Sequence, residues 1–410
     1  MIEGFRASVS LLATRRFGTF WFASLLSSMG TWAQQVAEPW LLLTIGASSF
    51  VIGLDSFASN APVWILTLVG GVLADRADRR RVIAIFQSIQ MLCPILIVVL
   101  LLTGGVQPWI VVALSLVVGV TDAVSMPSFQ AIVPSIVRHE QIAAALALNA
   151  TQFNLSRILG PALAGVIMAS VGAIGCFALS AASYLPFIWV ALWILPRGRA
   201  APSADDSFDR HHPFAGIRDI ARQPHLRGAL ITVLLNSTLC GPLIIFCPVL
   251  VKDVLHGEAS EFSYAIGAFG IGGLLGAIGL LGIAADRDRR RMSAWFAAGC
   301  GVITGLAALN PWFWALPPLL VLAGLSMSVC NTSANSFLQA TVPAQLRGRS
   351  VSLFMLAMRG GLSIGSLLTG LTASALGVRE ALLINGVLAL AGQIVVGRAW
   401  IRAGVPKASA

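Results

Sequence analysis

The segment GVLADRADRRRV, Gly71 to Val82, closes a long apolar run and returns as GIAADRDRRRM, Gly282 to Met292, one residue shorter. The shared Asp-Arg pair moves from Asp75 and Arg76 to Asp286 and Arg287, a displacement of 211 positions. QAIVP at Gln130–Pro134 returns as QATVP at Gln339–Pro343, displaced by 209, and GPALAG at Gly160–Gly165 has a looser echo in GSLLTG at Gly365–Gly370, displaced by 205. Three correspondences, each near half of a 410-residue chain, read as an internal duplication.

Composition says what is duplicated. Hydrophobic residues make up 57% of the chain and charged residues 11%, against about 25% charged in a soluble domain. Such a chain cannot cover itself with polar surface, so lipid is its solvent. A helical span needs roughly 20 apolar residues, and backbone groups in lipid must pair within their own segment. A closed barrel would need short stretches of alternating polarity, whereas these runs are continuous. The reading is an all-α polytopic membrane protein with twelve spans: 17–45, 49–74, 82–103, 107–127, 141–168, 170–195, 228–251, 261–284, 292–309, 312–336, 350–372 and 378–402. Six spans form an N-terminal bundle (1–195) and six a C-terminal bundle with the tail (228–410). A linker (196–227) joins them, and Phe214, Ile217, Ile220 and Ala221 predict a short amphipathic helix within it.

The net charge of +10 follows the membrane and is no nucleic-acid signature. With both termini in the cytoplasm, all but four of the 27 Lys and Arg lie on the inner side; Lys252 and Arg379 lie outside, and Arg157 and Arg359 lie within spans. The N-terminal stretch has no cleavage-site pattern and leads into the first span. The six cysteines sit in or beside apolar runs, as small buried hydrophobes do. The five histidines lie in loops without metal-ligand spacing, so no metal and no cofactor are expected.

The loop GGVLADRADRRR resembles the signature loop of the major facilitator superfamily of secondary transporters, and its second copy before span 9 fits the same family. The resemblance covers essentially the whole chain. WAQQVAEPWLLL, MPSFQAIVP and ALNATQFNLSRILGPALAG are similar to the branch that contains the enterobactin exporter and macrolide-efflux proteins. The resemblance implies two pseudo-symmetric six-helix bundles that expose a central site to each side in turn. It also implies a cytoplasmic latch made by Gly71, Asp75, Arg76, Arg79 and Arg80, with Asp286 and Arg287 as the second copy. Asp122 in span 4 is expected to partner the Arg76–Arg80 cluster or to line a substrate path. Gly160, Pro161 and Gly165 resemble the helix-bend motif of the family's antiporters, with Ser156 and Ala164 where that motif has glycine.

Residues three, four and seven apart share a helical face, so Ser27, Ser28, Thr31, Gln34, Gln35 and Glu38 form one polar stripe on an apolar helix. In the superfamily span 1 lines the cavity, which makes Thr31, Gln34 and Gln35 substrate-cavity candidates. Asn236 in span 7, Asn331 and Asn335 in span 10, and the intramembrane Arg157 and Arg359 join them. A carboxylate inside a span can carry a proton as substrate leaves; Glu38 and, near the outer end of span 2, Asp55 are the proton-coupling candidates. The glycines of span 8, Gly272 and Gly276 among them, are expected to pack helices, as a sliding contact between the halves.

These features favour a proton-coupled exporter of hydrophobic or amphipathic small molecules of drug, macrolide or siderophore type, acting as a monomer in the inner membrane. The same fold allows an uptake symporter. A sensor or scaffold needs neither latch-like loops nor polar stripes. An ATP-driven enzyme would need a Gly-rich motif ending in Lys-Ser or Lys-Thr, which Lys252 and Lys407 do not supply.

Overall fold

The computed structural model describes residues 10–64, 66, 77–196, 223–281, 288–342 and 347–402. Helix α1 is Arg15–Thr44, α2 Ser49–Asn60, α3 Arg79–Thr103, α4 Pro108–Ile132, α5 Ile142–Ser170 and α6 Ala173–Trp193. They are followed by α7 Pro224–Leu235, α8 Ala259–Leu281, α9 Arg289–Leu309, α10 Leu316–Thr341, α11 Arg347–Leu376 and α12 Val378–Arg402. Ten helical segments among the described residues are long and apolar enough to cross a membrane. Helix α1, 30 residues long, is not one of them, because its serines, glutamines and glutamate dilute its hydropathy. The linker helix expected around 214–221 lies outside the described residues, and α7 starts earlier than expected, with Pro224 at its first turn, where a missing N–H costs nothing.

The chain forms two compact units: residues 1–47 with 58–201, and residues 48–57 with 202–410. In unit 1, α1 packs against α5 and α6, and α3 against α4 and α6. Phe20, Phe129 and Phe187 join α1, α4 and α6 with ring centroids 5.2 to 5.7 Å apart. In unit 2, α9 packs against α10 and α12, and α8 against α10. The segment Ser48–Phe57 belongs here too: Ser56 Oγ donates to Ser366 Oγ at 2.9 Å, and a methyl group on Gly370 would stand 3.2 Å from Gly53 Cα.

The internal repeat is visible in backbone geometry. Asp78 and Asp288 each precede a helix in extended conformation and accept a hydrogen bond from the backbone N–H two residues on, Arg80 at 3.1 Å and Arg290 at 3.0 Å. These are N-caps that satisfy donors the helix leaves free. The turns after α5 and α11 both use glycine in the left-handed region, Gly172 at φ 76° and Gly377 at φ 103°, where a side chain would be strained. The looser GPALAG repeat has a packing meaning. A methyl on Gly160 would strike Trp32 of α1, and one on Gly365 would strike the carbonyl of Thr238 in span 7. Each motif seats its helix on the first span of its own unit.

Span 7 is irregular. Helix α7 runs into a π turn, Asn236–Cys240, then short helices Pro242–Ile245 and Cys247–Val249, and a second π turn, Leu250–Val254. Pro242 and Pro248 lack the N–H that a regular ladder needs, and π turns absorb the offset.

The glycines of α8 do pack helices, but onto α10 within unit 2. Gly272 faces the carbonyl of Val321, a methyl on Gly276 would lie 2.8 Å from that of Leu325, and Gly324 of α10 faces the carbonyl of Phe269. In lipid the helices gain nothing from mutual apolar burial, so close van der Waals contact between small residues must hold them. Gly272→Leu is expected to cost about 1–3 kcal/mol, as overpacking does, read as a lower melting temperature in detergent. Gly279→Leu, at a position with nothing within 4 Å, should melt like wild type.

Candidate functional site

Unit 1 is organised around the polar face of α1. Ser27 Oγ donates to Gln87 Oε1 of α3 at 3.3 Å, and Gln87 Nε2 to Gln90 Oε1 at 3.0 Å. Gln152 Nε2 of α5 donates to Ser28 Oγ at 3.1 Å. The Thr31 and Tyr184 hydroxyls meet at 3.0 Å, and Ser180 Oγ, also on α6, donates to Gln34 Oε1 at 2.8 Å. Ser115 Oγ of α4 donates to Glu38 Oε1 at 2.7 Å. One helix is thereby tied to α3, α4, α5 and α6. Glu38 is only 5% exposed and Gln34 is equally buried, while Thr31 and Gln35 are half-buried. Arg157 of α5 lies over the Trp32 ring, 5.9 Å from its centroid, a cation–π contact beside the buried Gly160, Pro161 and Gly165.

Asp55 of α2 is 4% exposed and belongs with the segment grouped into unit 2. Also in unit 2, Asn236 opens the π turn of span 7, and Asn331 and Asn335 lie on α10, where Gln339 Nε2 donates to Asn335 Oδ1 at 3.1 Å. Arg359 is half-buried on α11. Sequence reasoning missed Ser115, Ser180, Tyr184, Gln87 and Gln152, the partners that complete the α1 stripe. Their signal was weak: each is an uncharged polar residue among many in the spans, and nothing in the sequence marks it as facing α1. It also missed the π turns, for which Gly241-Pro242 and Pro248 were the available clue.

Of the latch candidates, Gly71, Asp75, Arg76, Asp286 and Arg287 lie outside the described residues. Arg79 Nη1 donates to the Ala131 carbonyl at 3.0 Å and Arg80 Nη1 to the Leu192 carbonyl at 2.6 Å. Two guanidiniums thus bind the carbonyls of α4 and of α6 near their last turns, where the helix dipole favours a cation. Asp122 of α4 is half-buried and within electrostatic reach of Tyr184.

The architecture defines a class first: a multi-pass helical membrane protein. A solved D-xylose–proton symporter has the same fold, with TM-score 0.72 and 12% identity over 93% of this chain and 97% of that one. The chain belongs to the transmembrane secretion effector family of the major facilitator superfamily, whose pattern it matches over residues 6–409. It is similar to the multidrug efflux pump Tap of Mycolicibacterium fortuitum, at 29% identity over 88% of this chain and 90% of that one. It is also similar to the staphyloferrin A transporter of Staphylococcus aureus, at 26% identity over 90% and 92%. It is a transporter and not an enzyme.

The second copy of the basic loop offers an electrostatic test outside the membrane. Burial raises the Asp288 carboxyl, but hydrogen bonds from the Arg290 side chain and backbone, together with its charge, outweigh burial and hold the group below its ordinary 3.8. Arg290 reaches Asp288 through Nε and Nη2, each at 3.1 Å. A carboxyl depressed in the folded state contributes stability above its ordinary value and loses it as pH falls through the folded-state value. Asp288→Asn keeps a capping side chain but removes the charge. Melting curves should show the variant below wild type at neutral pH, with the gap closing as pH falls below 3.8.

Proposed function

We propose that this transporter exports hydrophobic or amphipathic small molecules across the inner membrane in exchange for protons, by alternating access of its two units. The observation that carries the reading is Glu38, an acid buried in α1 against the Ser115 hydroxyl. A serine hydroxyl can donate to the carboxylate and accept from the protonated acid. Either state of Glu38 therefore keeps a partner, which lets the group load and release a proton without unfolding its surroundings. Asp55 is the second acid that could serve. The rest of the stripe, with Thr31, Gln34 and Gln35, supplies hydrogen-bonding groups along α1, and Trp32 and Arg157 add an aromatic and a cationic surface. Asn236, Asn331, Asn335 and Arg359 are the corresponding groups of unit 2.

The export direction is supported by the relatives, one named as a multidrug efflux pump. The excess of arginine on one side of the spans supports a cytoplasmic position for both termini. Asp75, Arg76, Arg79 and Arg80, with Asp286 and Arg287, act as the cytoplasmic latch, and Asp122 supports it. A latch biases the population of two states and does not touch substrate. No second copy of the chain is required for any of these roles.

The test is efflux from energised vesicles loaded in turn with a macrolide, a hydrophobic dye and a catecholate siderophore. Wild type should export at least one of them, and an uncoupler should abolish that export. Glu38→Gln should reduce export to the uncoupled level while preserving insertion; wild-type pH-driven rates in the variant would remove Glu38 from the mechanism. Asp75→Ala should slow export with substrate affinity retained, and an unchanged rate would count against the latch.

A further inference from the structure

The polar stripe of α1 and two buried asparagines of unit 2 differ in how they are paired. In unit 1, Ser27, Ser28, Thr31, Gln34 and Glu38 each meet a partner on another helix. In unit 2, Asn236 is fully buried and Asn331 is 2% exposed. Neither the oxygen nor the nitrogen of either carboxamide has a hydrogen-bond partner among the described residues. The same holds for the hydroxyls of Ser237 and Ser333, both buried within two positions of these asparagines.

Topology brings the two asparagines to one level. Met327 of α10 packs against the cluster of Cys240, Cys300 and Ala389. Spans 7 and 10 run in opposite directions, because two complete crossings, α8 and α9, separate them, and α7, which ends one residue before Asn236, packs against α10. One turn back from Cys240 is Asn236; one turn on from Met327 is Asn331. Asn236 also opens the first of the two π turns that interrupt span 7.

Burying a carboxamide without partners is costly, and a native bundle does not carry two such groups at one level without a compensating occupant. The inventory of open groups says what that occupant is. A bare cation would bind the two Oδ1 atoms but leave every Nδ2 proton without an acceptor. A carboxylate or sulfate would bind the Nδ2 protons but leave both Oδ1 atoms without a donor. Only a neutral group that both donates and accepts satisfies both atoms of each side chain.

We propose that Asn236 and Asn331 form a subsite for an uncharged hydroxyl or carboxamide group of the transported molecule, with water taking that place when none is bound. The assignment of the occupant to a transported molecule rests on the efflux reading above. The subsite makes the polar end of that molecule a neutral one, held in unit 2.

Radiolytic labelling of the full-length protein in nanodiscs, in 18O-water, tests this, because radicals formed from bound water mark the nearest sulfurs. Cys240 and Cys330 flank the subsite, and Cys176 and Cys247, equally buried, are the controls. Labelling at Cys240 and Cys330 should be several-fold faster than at the controls. Hexyl-β-D-glucoside should suppress it saturably, and hexyltrimethylammonium and hexyl sulfate, with the same tail, should not. Equal rates at all four cysteines would overturn the proposal. So would fast labelling that hexyl glucoside leaves unchanged, which means trapped water alone, or suppression by the ionic probes to the same degree. In Asn236→Leu and Asn331→Leu the suppression should disappear; wild-type suppression in both would also overturn it. If these variants do not fold, the wild-type comparison still decides. Labelling needs no transport, so failed export with intact labelling would sink the efflux reading and spare the subsite.

Discussion

The face of α1 that carries Ser27, Ser28, Thr31, Gln34, Gln35 and Glu38 cannot turn to hydrocarbon. That constraint organises unit 1. That face is enclosed by α3, α4, α5 and α6 through hydrogen bonds and not through shape alone, while Phe22 and Leu26 on the other side of α1 stay exposed. Apolar burial gives no net drive between helices already in lipid, so polar contacts and close backbone approach are what remain. Unit 1 relies on the first of these and the α8–α10 contact of unit 2 on the second.

Much of the fold could be read from the residues. The duplication, the helical spans and the glycine packing on α8 followed from spacing and composition, because a bilayer admits few alternatives for an apolar run. The duplication extends to turns it was not read from: Gly172 and Gly377 stand at the 205-residue interval of the GPALAG echo. What stayed hidden was pairing across helices. Glu38 announced itself as an acid in an apolar run, but nothing marks Ser115 as its partner among the many serines of the chain. Such contacts depend on the rotation of one helix about its axis relative to another, and sequence periodicity fixes the face, not the neighbour. The π turns of span 7 were hidden for a related reason: Pro242 and Pro248 indicate an interruption, but not whether the helix kinks, breaks or widens. The placement of the α8 glycines showed the same limit. The face was correct, while the partner is α10 of the same unit.

The comparison between units gives the repeat a history in physical terms. The capping aspartates, the turn glycines and the Gly160 and Gly365 contacts are the same solution used twice. Buried polar chemistry is where the copies part. One copy pairs the stripe of its first helix around an acid, and the other buries two amides without partners among the described residues. A duplicated bundle can keep its packing and change its interior because packing is set by backbone approach at glycine, whereas interior polarity is set by single side chains.

All six cysteines are free thiols enclosed within helices. A membrane-impermeant maleimide, which needs an aqueous approach to sulfur, would find none of them at rest. A cysteine introduced at any water-facing position would be the one reactive thiol on an otherwise unaltered chain, so accessibility to each side of the membrane can be mapped without first stripping the protein of sulfur.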